Sequence, residues 1–185
     1  MKIILVRHGK PSFDLRTKVS PKALAESLAA YDLAGIENDS HPSSELCELI
    51  QESSMIFTSD LKRSLQSAAR LSTKAKTSSP IFREIPVPSY LPYPFPLRAI
   101  TWAVLGRILW YLGYSGKIET RTEARLRANK AAQQLIKHTN DDGAVVLIGH
   151  GLMNMFIAKS LQQQGWHSPS PTTRQHWSWA EFEQA

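Results

Sequence analysis

Arg7-His8, Arg63, Glu84 and His150 are the residues whose types and placement could do chemistry. Arginine presents a planar fork of donors that matches phosphate or carboxylate oxygens two at a time. A neutral imidazole can attack as a nucleophile, and a carboxylic acid can hand a proton to a leaving oxygen. Two arginines, two histidines and a glutamate together suit phosphoryl transfer. There, negative charge spreads over three equatorial oxygens, and catalysis is mostly positioning plus charge stabilisation. No cysteine cluster, His-Glu-x-x-His pair or acidic ladder suggests a metal site, so neither metal nor cofactor is expected.

The pattern of strands says how these residues would meet. Residues 3–6, Ile-Ile-Leu-Val, form a short apolar run that reads as a buried parallel strand. Arg7-His8-Gly9 follows where that run stops. Residues 55–59 read as a second strand, and Ser59 or Asp60 then caps a helix. Leu61, Leu65, Ala68 and Ser72 mark that helix's inner face, with Arg63 in its first turn. A cation there opposes the helix dipole, which points to an anion nearby. Residues 80–85 are the third strand candidate, with Glu84 near its end. Residues 144–148, Ala-Val-Val-Leu-Ile, are the fourth; they run into Gly149-His150-Gly151, and a helix opens at Leu152. If the strands are parallel, all five residues gather at the carboxyl edge of one sheet, where open α/β sheets bind ligands. The helix starts after Asp60 and Gly151 would add backbone N–H donors for an anion.

Further helices are expected over 22–31, 44–51 and 97–112. Another opens at the capping box Thr120–Glu123, with Ala124, Ala128, Ala131, Ala132, Leu135 and Ile136 as its apolar stripe. It should end in a turn at 140–143. Residues 176–183 alternate in polarity and read as a last, one-sided strand. Strands alternating with helices imply a three-layer α/β/α sandwich, with a mostly parallel central sheet and an antiparallel last strand. Residues 1–185 read as one domain carrying a proline-rich and apolar helical insertion at about 86–116. The five prolines between 86 and 96 forbid helix and central strand alike. Tyr90, Tyr93 and Phe95 lie among them and are expected to wall a cleft. Arg98 and Arg107 fall on opposite faces of helix 97–112, so that helix has no clean polar side.

Lysine and arginine outnumber acids 22 to 16, a formal charge of +6, which favours anionic partners. The cations are scattered, which argues against nucleic acid. Cys47 is the only cysteine, so no internal disulfide forms; a reducing compartment, the cytoplasm, is expected. The run 3–6 is too short for the core of a signal peptide.

Arg7-His8-Gly9 after an amino-terminal strand, the segment from Ser59 through Leu61 to Arg63, and residues 145–151 resemble motifs of the histidine phosphatase superfamily. These are the phosphoglycerate-mutase-like enzymes, and the likeness is to their small phosphatase branch. It covers most of the chain. It implies a phosphomonoesterase acting on a small phosphorylated substrate through a phosphohistidine at His8. Arg7, Arg63, His150 and Gly151 would hold the phosphoryl oxygens. Glu84 would protonate the leaving alkoxide and then activate water. The nearby arginines should lower the pKa of His8 and keep it neutral. Three features depart from the family pattern. Asp14 stands where many members carry an amide, and it is the next candidate for the acid. The proline run replaces a glycine and tryptophan turn after the acid. The length argues against mutase activity. A second reading is a catalytically weak, phosphate-recognising interaction protein. A third is contact with a membrane surface through helix 97–112, whose 16 residues and two arginines argue against a span. Lys10 reads as rim charge, and no role is assigned to His41, His138, His167 or His176.

Overall fold

The apolar run near the amino terminus forms strand β1 (Lys2–Arg7), with residues 3–6 buried. In the computed structural model, which describes residues 1–89, 95–139, 144–169 and 175–184, the chain continues through β2 (Lys18–Val19), α1 (Leu24–Leu33), α2 (Ser44–Gln51), β3 (Ser53–Thr58), α3 (Lys62–Leu71) and β4 (Lys76–Ser78). A 3₁₀ turn (Pro80–Phe82) leads to β5 (Leu97–Arg98), α4 (Ala99–Tyr111), α5 (Arg121–Lys137), β6 (Ala144–Gly149), α6 (Gly151–Gln163), β7 (Trp166–His167) and β8 (Trp179–Gln184). Tyr90, Tyr93 and the turn expected at 140–143 lie outside the described residues.

The main sheet has the order β4-β3-β6-β1-β8-β7. β4, β3, β6 and β1 run parallel, and β8 lies antiparallel to β1. Alternate residues of the parallel strands face opposite layers. Ile3, Leu5, Val145 and Leu147 pack under α5 and α6. Ile4, Val6, Val146 and Ile148 pack on Leu46 and Ile50 of α2 and Ala68 and Leu71 of α3. Burying each such side chain contributes about 1.5–3 kcal/mol. Apolar on both faces, these strands need helices on both sides, which yields the expected three-layer α/β/α architecture with its antiparallel last strand.

Three expectations fail for identifiable reasons. The third parallel strand is β4, not 80–85. Pro80 has no N–H to offer a ladder, and Ser79 Oγ instead accepts from the Ile81 N–H. The chain therefore leaves the sheet at Ser78, and Glu84 reaches its place in a loop. Helix α3 is also rotated from its expected face: Leu65 is 39% exposed while Arg63, Ser64 and Ser67 are buried. Polar partners at the sheet edge draw that face inward. Ser64 Oγ donates to the Ile148 carbonyl and accepts from Ser59 N–H; Ser67 Oγ donates to the Arg63 carbonyl and accepts from Gly9 N–H at 2.9 Å. Neither Ser59 nor Asp60 is the cap residue of α3, which is Leu61. Ser59 turns to His150, and Asp60 holds both ends of the Arg83 fork. The capping box of α5 forms as its sequence predicts.

Candidate active site

β1 and β6 stop in register, Arg7 opposite Gly149, and β3 ends beside them with Thr58 opposite Ile148. The next residues, His8, His150 and Ser59, are therefore neighbours. The His8 N–H adds one more bond to the ladder, to the Gly149 carbonyl at 3.1 Å. The two imidazoles lie with ring centres 5.0 Å apart. His8 Nδ1 is 2.7 Å from the Gly9 carbonyl oxygen. A carbonyl only accepts, so Nδ1 carries the proton and Nε2 keeps its lone pair. His150 makes the opposite choice: its Nε2 is 2.6 Å from Ser59 Oγ. That hydroxyl accepts from the Leu61 N–H, so its own hydrogen is free to point at His150 Nε2. The proton of His150 then sits on Nδ1, which is buried and has no partner among the described residues. Both tautomers are assigned from the hydrogen-bond pattern.

Burial decides the charge of both rings. His8 is 2% exposed and His150 not at all. Desolvation pushes His8 well below the ordinary histidine range, and Arg63, Arg7 and His176 add to it, against the opposing hydrogen bond to Gly9. Desolvation does the same to His150, with His8, Arg63 and Arg7 contributing. The sequence points to the arginines as the cause of this shift; loss of water is the larger one.

Arg63 is more enclosed than a solvent-facing clamp would be. The Tyr31 ring covers its guanidinium at 4.6 Å, and the Tyr31 and Asp32 carbonyls and the Asp32 carboxylate take its Nη1 and Nη2 donors. The Nε–H is buried without a partner among the described residues. The edge formed by Nε and the adjacent Nη2 hydrogen is thus the part of the fork left for an anion. Beyond β6, at the start of α6, Gly151 leaves room for Arg7: a Cβ there would lie 3.4 Å from Arg7 Nε.

Glu84 reaches the same end of the sheet by a different route. Arg127 of α5 donates to the Ile81 and Arg83 carbonyls, and Arg107 of α4 to those of Ile85 and Pro86. The loop so held places the Glu84 carboxylate at the start of α6. There it accepts from the N–H groups of Leu152 and Met153 at 3.1 and 2.9 Å, and from its neighbour Ile85. Two of the backbone donors expected to await an anion at the start of α6, those of Leu152 and Met153, are therefore occupied by this side chain, while Gly151 N–H is not among its partners. Asp14 is exposed and closes a local turn through the Arg16 N–H and Thr17 hydroxyl, which hold its carboxyl below the usual range. Lys10 pairs with Glu37 at the rim.

Three residues at this site are not marked by the local sequence pattern. His176 lies 5.4 Å from the His8 ring and donates its Nδ1–H to the His8 carbonyl. Tyr31, at the end of α1, is the lid over Arg63. Trp177 holds a left-handed φ of 63°; its N–H bonds the Arg7 carbonyl and its ring lies against Gly9, where a Cβ would come within 2.5 Å. That close approach requires glycine in the Arg7-His8-Gly9 motif.

This architecture is an α/β fold known from other proteins. Solved structures share it along most of their length. A protein described as mycobacterial hydrolase 1 superposes with a TM-score of 0.63 at 15% identity, covering 97% of this chain and 87% of its own. The mycobacterial glucosyl-3-phosphoglycerate phosphatase bound to inorganic phosphate gives 0.58 at 18% identity, covering 97% and 88%. A mutant phosphoserine phosphatase from Entamoeba histolytica, in complex with phosphoserine, gives 0.59 at 16% identity, covering 88% and 80%. No family model and no curated protein matches the chain in sequence.

Proposed function

We propose that this protein is a phosphomonoesterase that forms a phosphohistidine on His8 from a small phosphorylated substrate. The observation that carries the reading is the fixed tautomer of a neutral, buried His8, with Nδ1–H tied to Gly9 and the Nε2 lone pair kept for attack. Nε2 attacks phosphorus in line and the bond to the leaving oxygen breaks. Arg7, the Nε edge of Arg63 and the His150 Nδ1–H hold the phosphoryl oxygens. Glu84 supplies the proton to the leaving alkoxide and then takes one from the water that frees His8. The phosphatases among proteins of the same fold support the reaction class. The test is trapping: with p-nitrophenyl phosphate, label should accumulate on His8 as an acid-labile, alkali-stable phosphoramidate. An acid-stable phosphoester, or turnover with no labelled His8, would overturn the reading.

A second reading, a phosphate-binding protein with little turnover, is favoured by the state of Glu84. Its oxygens accept three backbone N–H bonds, so acting as an acid requires it to release at least one. Glu84→Gln separates the two. If Glu84 is the acid, the variant should slow alkyl phosphates far more than p-nitrophenyl phosphate, whose leaving group needs little protonation. Equal loss on both would leave Glu84 as the cap of α6, and no turnover of either ester by the wild type would favour the binding protein.

A further inference from the structure

Helix α4 is amphipathic the wrong way round for a soluble surface. Its buried side is Ala99, Trp102, Gly106 and Trp110. Its outer side is Ile100, Val104, Leu105, Ile108, Tyr111 and, just past the end, Leu112, which at 100° per residue share an arc of about 140°. Val104 and Ile108 are each 51% exposed and Leu112 79%. Most of the exposed large apolar side chains among the described residues lie on or beside this helix. The face is held rigidly. A Cβ on Gly106 would come within 2.8 Å of the Val87 side chain, and Arg107 ties the helix to the carbonyls of Ile85 and Pro86.

Along the chain, the charge flanking this helix has one sign. Between Glu84 and Glu119 the chain contains no acid. Arg98 caps α4 at one end. At the other, Arg121 lies over the Tyr111 ring at 5.5 Å. Arg121, Arg125 and Lys159 then line a cavity of about 580 Å³ whose apolar wall includes Tyr111, Leu126 and Phe156; no acid lines it. Glu119 and Glu123, beside Arg121 and Arg125 in the chain, are already taken, Glu119 by Arg127 and Glu123 by the α5 cap. Arg98, Arg121, Arg125 and Lys159 have no ion-pair partner among the described residues.

We infer that α4 docks this protein on an anionic lipid surface, its apolar face in the headgroup boundary and the flanking cations against lipid phosphates and carboxylates. An apolar helix face rimmed by Lys and Arg is the usual geometry of such contacts. The helix lies in the plane of the surface, since none of the described helices is long and apolar enough to cross a membrane. A second copy fits the face worse. A two-fold pairing through α4 sets the same patch against itself, bringing its unneutralised cations to one interface.

Co-sedimentation of the full chain tests this without reference to catalysis, so it stands or falls apart from the phosphatase reading. Vesicles of phosphatidylcholine with phosphatidylserine should carry down the protein, less so as salt rises, and phosphatidylcholine alone should carry down little. Val104→Glu with Ile108→Glu should lower binding more than about tenfold. Both positions are exposed, and far-UV circular dichroism checks that the fold is kept. Arg121→Gln with Arg125→Gln, an independent pair, should lower it about fivefold per charge. Absent binding, equal binding to both vesicle types, or glutamate variants that bind as wild type would overturn the inference. So would a concentration-dependent dimer that the glutamate variants dissolve while the wild type ignores vesicles; that would assign the face to a second copy.

Discussion

The ends of β1 and β6 have the same form, an apolar strand followed by a histidine beside glycine, and they stop in register. They nevertheless present opposite nitrogens. His8 bonds the Gly9 carbonyl through Nδ1 and keeps Nε2 as a lone pair; His150 accepts from Ser59 at Nε2 and keeps Nδ1–H as a donor. Both rings are neutral for the same reason, burial. The difference lies only in which nitrogen the neighbouring backbone or hydroxyl occupies. One sheet edge thus offers an unshared ring nitrogen lone pair and an unpartnered ring N–H from one residue type with no difference in charge; in the proposed mechanism these are the nucleophile and the oxyanion donor.

The largest expected effects test that division directly. His8→Ala removes the attacking atom and should lower kcat on the order of 10⁴-fold or more, with loss of phosphoenzyme labelling. His150→Ala removes only a donor. It should cost about 10²- to 10³-fold, and label should still form on His8. If the two variants are equally impaired and neither labels, the two ends do not divide the work as their tautomers indicate.

Arg63 comes next. Its charge acts on both histidines, yet α1 has claimed part of its fork. A lysine would keep the charge and lose the Nε edge, so Arg63→Lys should slow turnover about a hundredfold, with intact folding. A lysine variant within a factor of two of wild type would mean that Arg63 only ties α1 to α3 through Tyr31 and Asp32.

How far the site was legible follows from what places each residue. Arg7, His8 and His150 are placed by the sheet, and a buried parallel strand declares itself in sequence as an unbroken apolar run. Their meeting was therefore readable, as was the three-layer fold. Arg63 was readable to the right turn of helix but not to the right face, because serines at 64 and 67 face inward for partners that only the folded edge supplies. For Glu84 the local pattern predicts a strand end. It is held by Arg127 and Arg107 from helices distant in sequence, and no local pattern encodes such a contact. His176 does carry a signal in the sequence: an antiparallel last strand brings its beginning, not its end, to the edge where β1 stops. Tyr31 closes on Arg63 from the end of α1, and nothing in its local sequence marks it.

Ser59 carries a smaller effect. If its hydroxyl sets the tautomer of His150, Ser59→Ala should free Nε2 and let the proton move between nitrogens. One neutral hydrogen bond is worth about 1 kcal/mol, so turnover should fall about fivefold. The loss should be absent in a His150→Ala background, because the serine acts through that ring. Equal losses in both backgrounds would give Ser59 a role of its own at the edge of β3.

The last effect is on stability rather than turnover, and there the two histidines should behave alike. Each is held below its ordinary range in the fold and in the unfolded chain titrates near pH 6.5. The unfolded state therefore binds more protons below that pH. Stability is complete above it and is lost as pH falls through it, by up to about 1.4 kcal/mol per pH unit for each histidine. Urea unfolding from about pH 7.5 to about pH 5.5 should show this decline. His8→Ala and His150→Ala should each remove a similar share of the slope, although their effects on turnover differ by an order of magnitude or more. A flat wild-type profile would mean that the rings take up protons in the folded protein, and the assigned tautomers would fall with it. Unequal shares would mean that the two sites differ in more than the nitrogen they present, because burial alone predicts that proton uptake on unfolding is the same for both.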